Sequence, residues 1–204
     1  MPLPIEGSIR PVLRPYEERI GNVITRAWDV WFKSTSKRTF AYRRVRASAV
    51  HELMVREARR EFERDRPRDV RVIEGPETIY LQFKEAVVIR LKKGNRRGLG
   101  QNNPTQTSLA FITPSADVHE LPLGLPNVQR VDVTYILNKL ETRIEQVLVV
   151  ARDGGKRLWK YGIFPRAAEV APITVLPIRP KAPARPDEVV RVPSRRRDEK
   201  KDAG

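Results

Sequence analysis

Two amphipathic helical patterns open the chain. Across residues 15–32, apolar side chains recur every three or four positions, which predicts a helix of about 17 residues. Trp28 and Trp31 lie on its apolar stripe, so we expect both in the core rather than on a binding surface. A second pattern, longer and rich in arginine, predicts another helix over residues 36–65.

After residue 67 the pattern changes to the twofold alternation that is typical of β-strands. It predicts strands at residues 70–73, 78–83, 86–92, 128–137, 144–152 and 158–164. The stretch 107–113 is short and apolar, and it fits either a strand or a helical turn packed on the sheet. The sequence therefore predicts an α+β fold, with two N-terminal helices followed by a mostly antiparallel sheet of about six strands.

These elements form one predicted domain over residues 15–164. We expect residues 1–14, where prolines alternate with small apolar residues, to form an irregular arm. From residue 165 onward there are seven prolines and several clusters of charge. Because such a segment buries too little apolar surface to offset its chain entropy, we predict a disordered tail over 165–204.

Charge indicates the class of partner. Forty Lys and Arg against twenty-five Asp and Glu give a net charge of +15, which favours DNA or RNA first and an acidic protein second. No cysteine is present, which excludes disulfides and thiolate metal sites. We find neither a signal-peptide pattern nor a membrane-spanning apolar run, and we expect a cytoplasmic protein that does not bind membranes.

The predicted binding surface is centred on the third strand and the loop after it. Residues 86–116 contain no acid, and Gly94, Gly98 and Gly100 would allow backbone N–H groups to converge on a phosphate. On the outer face of the hairpin we expect an exposed aromatic beside cations, an arrangement that holds single-stranded nucleic acid. The candidate nucleic-acid-binding residues are Arg43, Arg44 and Arg46 on the second helix, Tyr80, Arg90 and Lys92 on the hairpin, and Lys93, Arg96, Arg97, Gln101, Asn102 and Asn103 in the loop.

The sequence contains no complete catalytic motif. His51 and Glu52 begin a zinc-protease pattern, but Val55 stands where the second histidine belongs, and His119 is the one other histidine of the chain. We therefore assign no catalytic residue, cofactor or metal.

A nuclease remains an alternative. The order of the elements resembles that of restriction-endonuclease-like nucleases, whose metal site needs an acid and an acid-x-Lys pair. Glu52, Glu77 and Glu85 are the available acids, but Arg90 stands where the acid before Lys92 is required.

Three segments resemble an uncharacterised family of bacterial and phage proteins: HELMVREARREF, VVIRLKKGNRRGLGQNNPTQTSLAF and VDVTYILNKLETRIEQVLV. The resemblance covers about residues 16–163. Genes of this family often lie beside a repressor-cleaving zinc metallopeptidase, which implies a role in a toxin-antitoxin, defence or phage-control system. Our prediction is a non-enzymatic nucleic-acid-binding protein; the alternatives are an antitoxin-like module that covers an acidic partner and a divergent nuclease.

Overall fold

The helices confirm the predicted order at the N-terminal end of the fold. The computed structural model describes residues 3–35, 39–64, 67–75, 78–101, 105–115 and 128–164. A 3₁₀ turn joins the first two helices, and a π-helical turn over Arg60–Arg64 extends the third. The helices are α1 (Glu6–Leu13), α2 (Glu17–Lys33), α3 (Arg43–Arg59) and α4 (Gln106–Ile112).

A single six-stranded sheet follows, with its strands in sequence order. Four of the five neighbouring pairs are antiparallel, and β3 and β4 are parallel. Because a parallel pair needs a crossover connection, the chain between β3 and β4 passes over the sheet, and α4 lies in that connection. The mostly antiparallel α+β prediction is confirmed. The strands are β1 (Val70–Glu74), β2 (Ile79–Phe83), β3 (Val87–Lys93), β4 (Gln129–Leu137), β5 (Ile144–Asp153) and β6 (Lys156–Phe164).

The main core lies between one face of the sheet, called here the inner face, and the helices α1, α2 and α3. Trp28 and Trp31 are buried there as predicted, and the Trp28 ring lies 6.4 Å from that of Tyr135 on β4. Phe83 on β2 contacts the rings of Tyr16 and Phe62 at 5.0 and 5.8 Å. Strand residues two apart share this face, since β side chains alternate between the two sides.

The N-terminal segment is more ordered than its prolines predict. The irregular arm expected over residues 1–14 is wrong for α1, whose Ile9 and Leu13 are fully buried. These residues are four positions apart and therefore share one helical face. The Trp159 indole also donates a hydrogen bond to the Pro4 carbonyl at 2.8 Å. Tertiary contacts thus hold a segment whose local sequence favours irregular structure.

The second predicted helix is shorter than expected. It begins at Arg43, whereas residues 39–42 are not helical and residues 36–38 lie outside the described part of the chain. None of the described helices is long and apolar enough to cross a bilayer. The predicted disordered tail, residues 165–204, lies outside the described residues.

Candidate nucleic-acid interface

Helix α4 covers part of the outer face of the sheet. Tyr80, Val88, Phe111 and Ile112 form a second apolar cluster there, and the Tyr80 and Phe111 rings stack 5.5 Å apart. Tyr80 is only 2% exposed, and burial raises the pKa of its phenol. The expectation that Tyr80 is an exposed stacking platform is therefore wrong, because the crossover between β3 and β4 places a helix over it.

Arg90 is also buried, so its predicted place in an exposed row of cations is wrong. Its Nε donates to Asp132 Oδ1 at 2.6 Å, and its Nη2 lies 3.4 Å from Asp132 Oδ2. The guanidinium also lies over the Phe111 ring, 4.3 Å from the ring centre. The parallel register places Arg90 directly beside Asp132, which therefore neutralises it within the protein.

Two further arginines extend this buried charged layer across the sheet. Arg152 on β5 approaches Asp132 at 3.8 Å and donates hydrogen bonds to the carbonyls of Gly100 and Gly154 at 3.0 and 2.7 Å. Arg130 on β4 is 6% exposed, and burial lowers its pKa to about 10. The layer ties β3, β4 and β5 to the loop after β3, which gives it a structural role.

Residues 94–101, called here the basic loop, fold back onto the outer face. Gly94 N–H donates to Tyr135 O at 2.9 Å, and Gln101 N–H donates to Lys93 O at 3.1 Å. The Thr134 hydroxyl donates to Gly98 O at 2.9 Å. The loop is therefore fixed on β4 at Gly94 and at Gly98, and its far end is bonded back to β3.

The internal hydrogen bonds of the basic loop reduce the number of backbone N–H groups that are available to bind an anion. The Asn95 carboxamide oxygen accepts the N–H groups of Arg97 and Leu99 at 2.8 and 3.1 Å, and Gly98 N–H donates to Asn95 O. Most of the backbone donors that were expected to bind a phosphate already have partners inside the protein. The predicted backbone anion nest is therefore wrong, and what the loop presents to an anion is its side chains.

The basic loop presents Arg96 and Arg97 to solvent beside two cations of β6. Arg157 Nη1 donates to Arg97 O at 2.6 Å, and a methyl group placed on Gly98 would lie 3.8 Å from Lys160 Cδ. All four cationic side chains are exposed. Within the described part of the chain, no carboxylate lies within 4.0 Å of any of them. We call Arg96, Arg97, Arg157 and Lys160 the loop–β6 cluster.

A second group of cations surrounds Glu141 in the turn between β4 and β5. Lys93 Nζ lies 3.1 Å from Glu141 Oε1. The pKa of Glu141 is lowered by this hydrogen bond and by the positive charges of Lys93, Arg43 and Arg46. The structure thus places the end of β3 near the first turn of α3, although the two are far apart in sequence. We call Arg43, Arg44, Arg46 and Lys93 the helix-start cluster.

The N-terminal end of α3 strengthens the positive field of this cluster. Its first turn contains no acid, and no side chain caps its free N–H groups. A helix N-terminus carries partial positive charge, and cations placed there add to it. Glu141 therefore lies in the positive field of several cations at this end of the molecule.

The structure adds residues that sequence reasoning missed. Tyr42, directly before α3, is 77% exposed, and Leu140, next to Glu141, is 81% exposed. Arg157 and Lys160 were also missed, although Lys160 could be found from the twofold pattern, because it alternates with the inward-facing Trp159 and Tyr161. An aromatic residue directly before two arginines is the corresponding local signal for Tyr42.

The other predicted binding residues, on the hairpin and at the end of the loop, differ in their exposure. Lys92 is partly buried on the outer face, and Gln101 is exposed at the end of the basic loop. Asn102 and Asn103 lie outside the described residues.

The groups of the nuclease alternative are not brought together. Lys92, the residue before the last of β3, lies on the outer face, whereas α3, which carries the exposed Glu52, packs on the inner face. Glu85 precedes β3 at the opposite end of the strand, so about 23 Å of extended chain separates it from Lys92. Glu77 lies outside the described residues. The part of the chain that the structure describes contains no group of three or more His, Asp or Glu side chains able to hold a metal ion.

Comparison with known proteins gives no functional assignment. No family model matches this chain, and no significantly similar curated protein or solved structure was found. The resemblance of the three segments to bacterial and phage proteins stays a hypothesis, and the geometry of the two cation clusters is the basis for assigning a function.

Proposed function

We propose that this protein binds nucleic acid, DNA or RNA, through contacts with the phosphate backbone. The observation that carries the proposal is the loop–β6 cluster. It presents four exposed cations on a fixed platform, and none of them has an ion pair with a described carboxylate. Phosphate contacts of this kind supply most of the sequence-independent affinity of nucleic-acid-binding proteins.

The arrangement of the cations favours a polymer over a small anion. A small anion is held by donors that converge on one point, and most backbone donors of the basic loop are already used inside the protein. The cations are instead spread from the loop to positions 157 and 160 of β6, which are about 10 Å apart along an extended strand. Such a row matches the repeated charges of a phosphate backbone.

The helix-start cluster supports the same proposal. Lys93 ends the strand from which the basic loop departs, so the two clusters are joined by a short stretch of chain. Glu141 neutralises only part of the charge of Arg43, Arg46 and Lys93. A regulator in a toxin-antitoxin, defence or phage-control system, the setting that the resemblance implies, would use such a surface without catalysing a reaction.

Salt-dependent binding tests the proposal directly. Fluorescence anisotropy would follow binding of labelled single-stranded and duplex oligonucleotides by the wild type and by a variant carrying Arg96→Gln and Arg97→Gln. Each lost phosphate contact should reduce the slope of log affinity against log salt by about 0.7 on single strands and about 0.9 on duplex. The double variant should therefore lose about 1.4 or 1.8 in slope.

A matched control removes the same amount of charge elsewhere. Lys84 lies in the β2–β3 turn and Arg14 in the turn after α1, and both side chains are exposed. The variant with Lys84→Gln and Arg14→Gln should keep the wild-type slope. The proposal is wrong if neither oligonucleotide binds at about 50 mM salt, or if both double variants lose the same slope. An acidic protein as the true partner is then the remaining explanation of the cations.

A further inference from the structure

Exposed apolar side chains lie among the cations of the helix-start cluster. Tyr42 is 77% exposed and directly precedes Arg43, and Leu140 is 81% exposed and directly precedes Glu141. Lys93 Nζ, 3.1 Å from Glu141 Oε1, joins this turn to the end of β3, and β3 packs against α3. The charge of Arg43 also lowers the pKa of Glu141. Tyr42 and Leu140 therefore flank one basic surface although they are distant in sequence.

Val45 is another exposed apolar side chain close to Tyr42 in the chain. It lies in the first turn of α3 and is 41% exposed. Most of the large apolar side chains in the described chain are buried in the two cores, whereas Tyr42 is 77% exposed, against 40% for Phe32 on α2.

We infer that the helix-start cluster binds single-stranded nucleic acid in preference to duplex, with an unpaired base stacked on the Tyr42 ring. The inference rests on the proposed function and specifies its ligand. In a duplex the base faces are stacked on one another and only the groove edges are accessible. A single strand can turn a base face onto an aromatic ring while neighbouring cations hold its phosphates.

The charges around Tyr42 favour this ligand over a protein partner. Arg43 and Arg44 directly follow Tyr42, and the first turn of α3 contains no acid, so the charges next to the ring in the chain are positive and match phosphates on either side of a stacked base. If the apolar surface bound a protein instead, Tyr42 would also be buried in the complex, but its substitution would not affect the binding of an oligonucleotide. The two cases differ in whether substitution of Tyr42 changes oligonucleotide affinity.

The test compares one sequence as a single strand and as a duplex. Anisotropy titrations would use the full chain as wild type, Tyr42→Ala and Tyr42→Phe. Loss of one stacked base should weaken single-strand binding by about 5- to 150-fold in Tyr42→Ala. Tyr42→Phe keeps the ring and should retain wild-type affinity, and neither substitution should change duplex affinity.

Leu109→Ala is the matched control, because Leu109 on α4 is another exposed apolar side chain, 47% accessible, that lies in neither cation cluster. It should leave both affinities unchanged. Circular dichroism would confirm that each variant is folded.

The inference is overturned if Tyr42→Ala binds the single strand as the wild type does, or if it loses equal affinity for the duplex. In both cases a weakened Arg96→Gln/Arg97→Gln variant would show that the proposed function still holds. If neither oligonucleotide binds the wild type at about 50 mM salt, both proposals are wrong.

Discussion

Removal of the Asp132 charge should be one of the most damaging single changes in this fold. Asp132 is 1% exposed and Arg90 is 2% exposed, and they are joined by contacts of 2.6 and 3.4 Å. Asp132→Asn keeps the shape of the side chain but leaves a buried guanidinium beside a neutral group. Breaking a buried pair from one side costs about 3–5 kcal/mol. Since Asn still offers one acceptor to Arg90, we expect about 3 kcal/mol.

Urea unfolding followed by tryptophan fluorescence would measure this loss. The midpoint should fall while the dependence on urea stays constant, because the surface exposed on unfolding is unchanged. Glu74→Gln is the control: its carboxylate is 61% exposed and pairs with Arg59 at 2.8 Å. An exposed pair of this kind contributes at most about 1 kcal/mol. If Asp132→Asn costs no more than Glu74→Gln, the buried pair does not have the role described above.

Three further changes probe other parts of the structure. Lys84 and Glu85 form the β2–β3 turn with φ of 48° and 53°, so replacing them with Asn and Gly should raise stability in urea by about 1 kcal/mol; an unchanged midpoint contradicts this. Burial alone would raise the pKa of Glu61, but hydrogen bonds from Arg26 and Arg19 lower it below 4.5. The ionised Glu61 therefore stabilises the fold above pH 4.5, and this contribution is lost as the pH falls through the lowered pKa of the folded state. Glu61→Gln should weaken the dependence of the unfolding free energy on pH in that acidic range. Gly98→Ala should lower both stability and oligonucleotide affinity, because φ is 86° and the added methyl group would lie 3.2 Å from Leu148 Cδ1; a variant with wild-type melting and binding refutes this.

The strands were predictable because their signal is local. Alternation of apolar and polar side chains located all six strands. The apolar stripe of α2 likewise placed Trp28 and Trp31 in the core. Each signal depends only on residues within one helical turn or one strand, so it can be read from the sequence without knowledge of the tertiary structure.

The sequence predicted which side chains share a face of the sheet, but not whether that face is exposed to solvent. Alternation correctly placed Tyr80 and Arg90 on the face opposite the main core, but it does not show what covers that face. The parallel pairing of β3 with β4 carries α4 over the outer face and sets Arg90 beside Asp132, 42 residues away in sequence. A prediction from local pattern therefore assigned to solvent two side chains that the fold buries.

The sequence by itself determined the six strands, helix α2, the excess of positive charge and the candidate cations of α3 and the basic loop. Only the tertiary structure decided which cations remain exposed: Asp132 neutralises Arg90, whereas Arg96 and Arg97 lie beside Arg157 at the surface. It also brought Tyr42 and Leu140 to one basic end of the molecule. The physical reason is that exposure and ion pairing depend on contacts between distant segments, and strand pairing and helix packing set those contacts.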